Sequence, residues 1–501
     1  VGGLFLAVPR PAGPGSTMPH APSHPSALLV GAPLFAALAL LGPRGEVARA
    51  LDGPAPAAEA PVQQDEEPTD DGVVVESWPD GSPRRVYEVD EEGRRDGDFT
   101  EYRIGGELLI EASYRDGLLH GRYRSYHENG EVELDCTYKK GLLDGRYRTF
   151  DREGERLVEG AYDEGRKDGR FEIRREGEVV SKQKWSAGVL VDIDGFADPF
   201  PRPLATIAEE LAAIRATVIE PVLSSSYEGD IDPELAEGRV LALKRLMEYR
   251  ALSGLRYADM ELDDKKNWHC TAAAKLLNII GRLDHTPKNP GMPEDEYKTA
   301  YTGTSSSNLA MGSSLPGSID SYMDDSDPSN IDRVGHRRWC LNPKMKETGF
   351  GIEGRFSAMW SFDESGSAGK WDHVCYPAPG FYPVSHFDDH HAWSVRFPGG
   401  VLGDAQPSDL VIEVFALDAD YARGLAMDLD HVSISGGQVV FRPEGLACAE
   451  GRAYEVRIGK AGKRGPDPLL RYFVEFADVE ALLAPPEDQT DEADDDALGE
   501  S

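Results

Sequence analysis

Val334-Gly335-His336-Arg337-Arg338-Trp339-Cys340-Leu341-Asn342-Pro343, with Gly349-Phe350-Gly351-Ile352 close behind, is the most distinctive run in the chain. Both Gly349-Phe350-Gly351-Ile352 and Ala358-Met359-Trp360-Ser361-Phe362 read as β-strands. Upstream, residues 319–323 read as a short helical piece, and the Ser/Gly-rich residues 303–317 as a loop. Two longer helices come first. Residues 234–253 carry Val240, Leu243 and Met247 at helical spacing before Gly254. Asp263-Asp264 caps a second helix that runs through Trp268, Ala272 and Leu276 to Ile280, where Gly281 stops it. That stop leads into Leu283-Asp284-His285-Thr286-Pro287, and Ser307-Asn308-Leu309-Ala310-Met311-Gly312 lies beyond it.

In order and spacing these segments resemble bacterial members of the CAP superfamily, relatives of cysteine-rich secretory and pathogenesis-related proteins. The family pattern runs from a helix ending before "sH.P", through "GENlA.G" and a tryptophan-containing helix, to "GHR..il.P" and "vGvG". The resemblance implies an α-β-α sandwich over residues 233–365, with two histidines and two acidic residues facing one cleft. The histidines fall on His285 and His336. The acidic residue of "GEN" falls on Ser307, beside Asn308, so that carboxylate is missing. The second falls near Tyr322, with Asp324 or Asp325 as replacements. Two imidazoles meeting in such a cleft would hold zinc or another divalent cation, with Asp325 or Asp284 orienting a ring. The competing reading makes His336 a satisfied core histidine and His285 a turn residue. Ser305, Ser306 and Ser307 lack the strand–turn–helix setting of a catalytic nucleophile. The resemblance thus implies binding of an extracellular or envelope ligand (lipid, glycan, peptide or protein), with a metal-assisted hydrolase as the alternative.

Nearer the N-terminus the chain repeats itself. Gly93, Gly117, Gly141 and Gly165 recur every 24 residues, as do Gly97, Gly121, Gly145 and Gly169 and the aromatics Phe99, Tyr123, Tyr147 and Phe171. Each unit holds two alternating strands and glycine turns, which make a β-hairpin. One hairpin leaves its aromatic face open, so successive units must share it in a long antiparallel meander. This pattern resembles MORN-repeat variants and assigns residues 83–192 to a spacer or interaction surface; an interaction scaffold is a third reading of the whole protein. Leu204, Ile207, Leu211, Ile214 and Val218 mark an amphipathic helix within a helical linker, residues 193–232.

Residues 366–484 are strand-rich, with turn residues between the strands, and predict a small antiparallel sandwich resembling the β extension of some bacterial CAP proteins. In it, His386, His390 and His391, with Asp388, Asp389 and His373, form a loop in which His386 and His390 would chelate if it turned helically. Pro383 and Phe387 argue instead for an exposed, irregular loop. Gly366-Ser367-Ala368-Gly369-Lys370 is no phosphate loop, because Glu364 stands where its first glycine belongs.

The fold class is therefore multidomain α+β. Residues 27–41 are an apolar run ending at Gly42-Pro43, with Ala48-Arg49-Ala50 as a small-x-small site, so residues 1–50 read as a secretory signal with Met18 a possible start. Residues 51–82 read as a disordered acidic linker and residues 485–501 as a solvated acidic tail. The expected place is outside the cell or in its envelope, with no transmembrane segment after cleavage. Acidic residues number 89 against 53 basic, a net charge of −36, which argues against a nucleic-acid partner. Cys136, Cys270, Cys340, Cys375 and Cys448 allow at most two disulfides, and without a CxxC pair a thiolate zinc site is not expected.

Overall fold

The structure, a computed structural model, describes residue 69, residues 72–462 and residues 465–483. The signal-like residues 1–50, most of the linker and the acidic tail lie outside the described residues. No helix among the described residues is long and apolar enough to cross a membrane.

Most of the fold is β, and its largest part is the expected antiparallel meander. Thirteen strands, from Val73–Ser77 to Phe196–Ala197, form one sheet whose neighbours in space are almost all neighbours in sequence. Tight two-residue turns at Asp116-Gly117, Lys140-Gly141 and Glu164-Gly165 have both residues at positive φ. That is the turn geometry whose twist matches that of paired strands, and glycine supplies its second position without strain. One face stacks rings: Tyr147 on Tyr162 at 5.1 Å, Tyr162 on Phe171 at 5.7 Å and Phe171 on Trp185 at 6.4 Å. The sheet also begins earlier than expected. Val73–Ser77 pairs with Pro83–Val89, burying Val74, so the linker ends before residue 73. The Val73-Val74-Val75 run was too short to stand out from its acidic surroundings.

Among the described residues, seven α-helices follow the repeats or interrupt the later sheets. They are α1 (Leu204–Ala216), α2 (Pro233–Leu252), α3 (Asp264–Ile280), α4 (Glu294–Ser306), α5 (Leu315–Asp324), α6 (Gly335–Cys340) and α7 (Val479–Leu483). Asp263 accepts from the Lys266 N–H to begin α3, and Gly281 at φ 71° ends it. Residues 303–311 are not the loop expected from their serines: α4 continues to Ser306, and Ser307–Met311 is a strand paired to Phe356–Trp360. Packing overrides composition there, because Leu309 and Ala310 are both buried, on opposite faces of the strand.

That strand, Phe356–Trp360 and Phe350–Glu353 make a three-stranded antiparallel sheet between two helical layers. Leu309, Phe356 and Ala358 pack with Cys270, Ala273 and Leu277 of α3. Ala310, Phe350 and Met359 face the other way, into the core built by α2 and α5. The glycines around Phe350 are what allow α3 to lie so close. A Cβ on Gly351 would come within 2.1 Å of the Thr271 nitrogen, and one on Gly349 within 2.4 Å of the Asn267 nitrogen.

The C-terminal strands form a four-stranded and a five-stranded sheet. The second is mixed, since Gly380–Pro383 runs parallel to Asp467–Ala477, which corrects the all-antiparallel expectation. Trp393 of the four-stranded sheet and Tyr454 and Phe476 of the five-stranded one belong to the same continuous core as α1, α2 and α5. The end of the repeat sheet docks on it too: Trp185 stacks on Tyr421 at 6.1 Å, and Arg423 pairs with Asp194 at 2.7 Å.

Candidate functional site

Two consecutive aspartates at the end of α5 organise the site. Asp324 is the last helical residue, and Asp325 takes a left-handed φ of 47°. The backbone reversal sends their side chains in different directions. Asp325 is buried and accepts from the His336 backbone N–H at 2.9 Å and from its ring Nδ1 at 2.7 Å. A carboxylate only accepts, so the proton sits on Nδ1 and Nε2 keeps a free lone pair. The ring lies against Tyr322 at 5.5 Å and its side chain is 22% exposed. Asn308 donates to the His336 carbonyl at 3.0 Å, and Tyr322 to the Asn308 carbonyl at 3.1 Å. Val334, buried and β-branched, precedes α6 at φ 35°. Such a conformation costs about 1–3 kcal/mol and is held only by its surroundings. His336, Asp325 and Asn308 are therefore one preorganised unit, in which Asp325 fixes the ring through Nδ1.

His285 is placed separately. It is exposed, its Nδ1 donates to the Thr304 carbonyl at 2.9 Å, and Thr304 Oγ1 reaches back to the His285 carbonyl at 3.3 Å. It is thereby tied to the last turn of α4, while His336 is tied to the strand that follows. Neither histidine belongs to any group of three side chains able to share a metal ion among the described residues. Asp284 pairs with Arg282 at 2.9 Å and does not orient the His285 ring. Ser307, placed by the motif in the cleft, is instead buried with its hydroxyl 3.6 Å from the Cys270 thiol. Strand alternation turns it toward α3, so it is neither a cleft residue nor a nucleophile open to substrate. All five cysteines are free thiols.

The histidine-rich residues 386–391 are not the exposed loop expected of them. His386 is buried with its Nε2 3.0 Å from Glu248 and 2.7 Å from the Arg245 guanidinium. It points away from His390, and the two do not chelate together. His391 and Phe387 are also buried, whereas His390 is exposed. Burial, the dominant influence on His391, brings its pKa down to about 4 despite the nearby Asp324 carboxylate. Both His390 and His391 face Asp324, at 3.2 and 3.7 Å.

Two buried arginines had no reading from sequence. Arg337 donates to the carbonyls of Met323 (2.6 Å), Ala392 (2.7 Å) and Asp324 and to the Ser394 hydroxyl (3.1 Å), with its guanidinium 4.3 Å above the Tyr376 ring. Arg250 holds the carbonyls of Cys340 and Asn342, both at 2.9 Å. The signal was the Arg337-Arg338 pair and the Tyr249-Arg250 helix end; a charged residue at a core-facing helical position was the available clue.

No family model and no curated protein matches the chain. Among solved structures, it is similar to a bacterial cysteine-rich secretory protein from Staphylococcus aureus. That likeness has 12% identity and a TM-score of 0.18, and covers 55% of this chain and 82% of the other. A GtfA/B complex bound to UDP and GlcNAc is a second neighbour, at 12% identity and a TM-score of 0.14, covering 46% of this chain and 58% of the other. Both overlays are loose and fix no ligand for this chain.

Proposed function

We propose that the chain is an exported, non-catalytic binding protein of CAP type. In this reading His336 is the ligand contact, and the MORN-like hairpin sheet is a spacer docked rigidly on the C-terminal sheets. One observation carries it. The His336 ring is locked by Asp325 at 2.7 Å and its side chain is partly exposed, while Ser307 of the motif is buried against Cys270. A fixed acceptor without a nucleophile or a shared metal suits recognition better than turnover. Residues 233–365 supply the recognition element, and export follows from the apolar run and the small-x-small site near the start of the chain.

The test is co-sedimentation of the full chain with insoluble peptidoglycan and with phosphatidylglycerol vesicles, comparing wild type, His336→Ala and Asp325→Asn. Saturable binding to one probe is expected, weakened about fivefold by His336→Ala, the loss of roughly one hydrogen bond. Release of soluble peptidoglycan fragments by the wild type, wild-type binding to neither probe, or equal binding by folded variants would each overturn the proposal.

A further inference from the structure

The residues of the His390 loop and the end of α5 leave three acceptors facing one another. His390 Nδ1 lies 2.8 Å from Asp388 Oδ1, which only accepts, so Nδ1 carries the proton of the neutral ring. In that neutral form Nε2 is a bare lone pair, 3.2 Å from Asp324 Oδ2, itself an acceptor; a protonated ring would instead donate to both carboxylates, so a metal ion and a proton compete for Nε2. His391 repeats the arrangement on the other carboxylate oxygen. Its Nδ1 is 3.0 Å from the Tyr376 hydroxyl, whose own proton goes to the His386 carbonyl at 3.0 Å, so the imidazole is the donor. The Asp388 N–H, 3.3 Å from the same nitrogen, favours the opposite tautomer. That tautomer would aim its Nε2 proton at Asp324 Oδ1 across 3.7 Å, too far for a hydrogen bond. Each tautomer satisfies two of these bonds, and the one with its proton on Nδ1, which a metal ion would select, again leaves Nε2 bare.

We infer that Asp324, His390 and His391 bind a divalent transition-metal cation of the zinc class, which ties α5 to the C-terminal sheets. The three ligand atoms lie within 4.8 Å of one another. Zinc–nitrogen and zinc–oxygen bonds of about 2.0–2.2 Å at a tetrahedral angle separate ligand atoms by about 3.4 Å, so the three atoms would draw together somewhat around an ion. Two imidazoles and one carboxylate form a borderline-soft set that suits zinc and disfavours calcium or magnesium, which take oxygen. Supporting groups of the kind that orient metal ligands are in place: Asp388 fixes the His390 ring and Tyr376 the His391 ring, while Arg337 holds the Asp324 backbone carbonyl. The side chain of His390 is 61% exposed, so a fourth position opens to solvent for water or a ligand atom. The site lies one residue from the Asp325 that locks His336, yet it shares no ligand with that unit and does not depend on its proposed role.

Zinc titration by calorimetry of the untagged, chelator-treated full chain tests this. The wild type should take up one equivalent with a Kd of about 1 µM or tighter, and melt higher when loaded. His390→Ala removes an exposed ligand and should weaken uptake at least about 100-fold, with the metal-free melting temperature unchanged. Asp388→Asn touches no metal and should weaken it about 10-fold, which keeps the test valid should the His390 variant fold poorly. His336→Ala should bind as the wild type does. Cobalt in place of zinc should give the intense visible bands of four- or five-coordination. Absence of one-equivalent zinc uptake by the wild type, unchanged uptake by folded His390→Ala and Asp388→Asn, or loss of uptake in His336→Ala would each overturn the assignment.

Discussion

Replacing Arg337 by Met should cost about 3 kcal/mol of stability, and the structure shows where that cost arises. The guanidinium is buried and donates to three backbone carbonyls and one hydroxyl drawn from two parts of the molecule: Met323 and Asp324 on α5, Ala392 and Ser394 on the C-terminal side. Methionine is close in length and refills much of the volume, so the loss falls on orphaned acceptors rather than on a cavity. The Met323 and Ala392 carbonyls are left without a donor, at about 1–3 kcal/mol each, and the lost bond to Ser394 adds about 0.5–1.5 kcal/mol, while the Asp324 carbonyl keeps the Ser326 hydroxyl at 2.7 Å; the sum is about 2.5–7.5 kcal/mol. Against this, the mutant no longer buries a charge and water entry relieves part of the rest, which together offset about 2 kcal/mol. A net loss near 3 kcal/mol follows, as about 5 kcal/mol less about 2 kcal/mol. Urea unfolding followed by tryptophan fluorescence reports on it, because Trp393 lies between Ala392 and Ser394. With an m-value of about 3 kcal/mol/M, the midpoint should fall by about 1 M. Arg337→Lys, which satisfies fewer of the four acceptors, should fall between. A midpoint shift below about 0.3 M for the Met variant would show that water satisfies these carbonyls as well as the guanidinium does, and the reasoning would fail.

Three further outcomes are expected. Gly351→Ala drives a methyl group into the α3 backbone at Thr271 and should destabilise by about 3 kcal/mol, read as a lowered melting temperature. Asp135→Ala leaves Arg122, Arg146 and Arg148 clustered without the carboxylate that they contact at 2.9, 3.3 and 2.6 Å; with the arginines partly exposed, a loss of about 2 kcal/mol in chemical denaturation is expected, and it should grow when salt is removed. Burial alone would raise the Glu248 pKa, but hydrogen bonds from His386 and Arg215 and the charge of Arg245 outweigh it and hold the group at about 2, below its usual 4.5. A depressed carboxylate stabilises fully above pH 4.5 and loses that contribution as pH falls toward 2, so about 2 kcal/mol should be gone by pH 3. Melting temperatures from pH 7 to pH 3 should fall less steeply for Glu248→Gln than for the wild type; parallel curves would contradict this.

Features with a local cause were legible in the sequence. The meander could be read because each unit returns the same glycines and aromatics, and a positive-φ turn needs glycine wherever it occurs. Both ends of α3 could be read because Asp263 and Gly281 act within one turn of the helix. What stayed hidden depends on partners distant in sequence. Residues 307–311 look like a flexible serine stretch until the strand Phe356–Trp360 is beside them. Asp325 could be named as a partner for His336, but its left-handed backbone, which separates it from Asp324, has no mark in the sequence. The polar letters of residues 386–391 suggest solvent, yet Tyr376, Glu248 and Arg245 come from elsewhere to satisfy their buried members. For the same reason the meeting of His390 and His391 with Asp324, 66 residues from His390, was out of reach.

The meander grows sideways, strand upon strand, while its last turns are clamped to the C-terminal sheets through Trp185 and Asp194. Strand spacing near 4.8 Å over the nine steps from the Val73–Ser77 strand to the Glu178–Ser186 strand that carries Trp185 sets an upper limit of about 43 Å on how far the Val73 edge can project from that clamp. Each 24-residue unit inserted or removed changes this reach in steps of two strands, about 10 Å, without altering either end. The number of copies is thus a length setting, adjustable in whole increments by duplication.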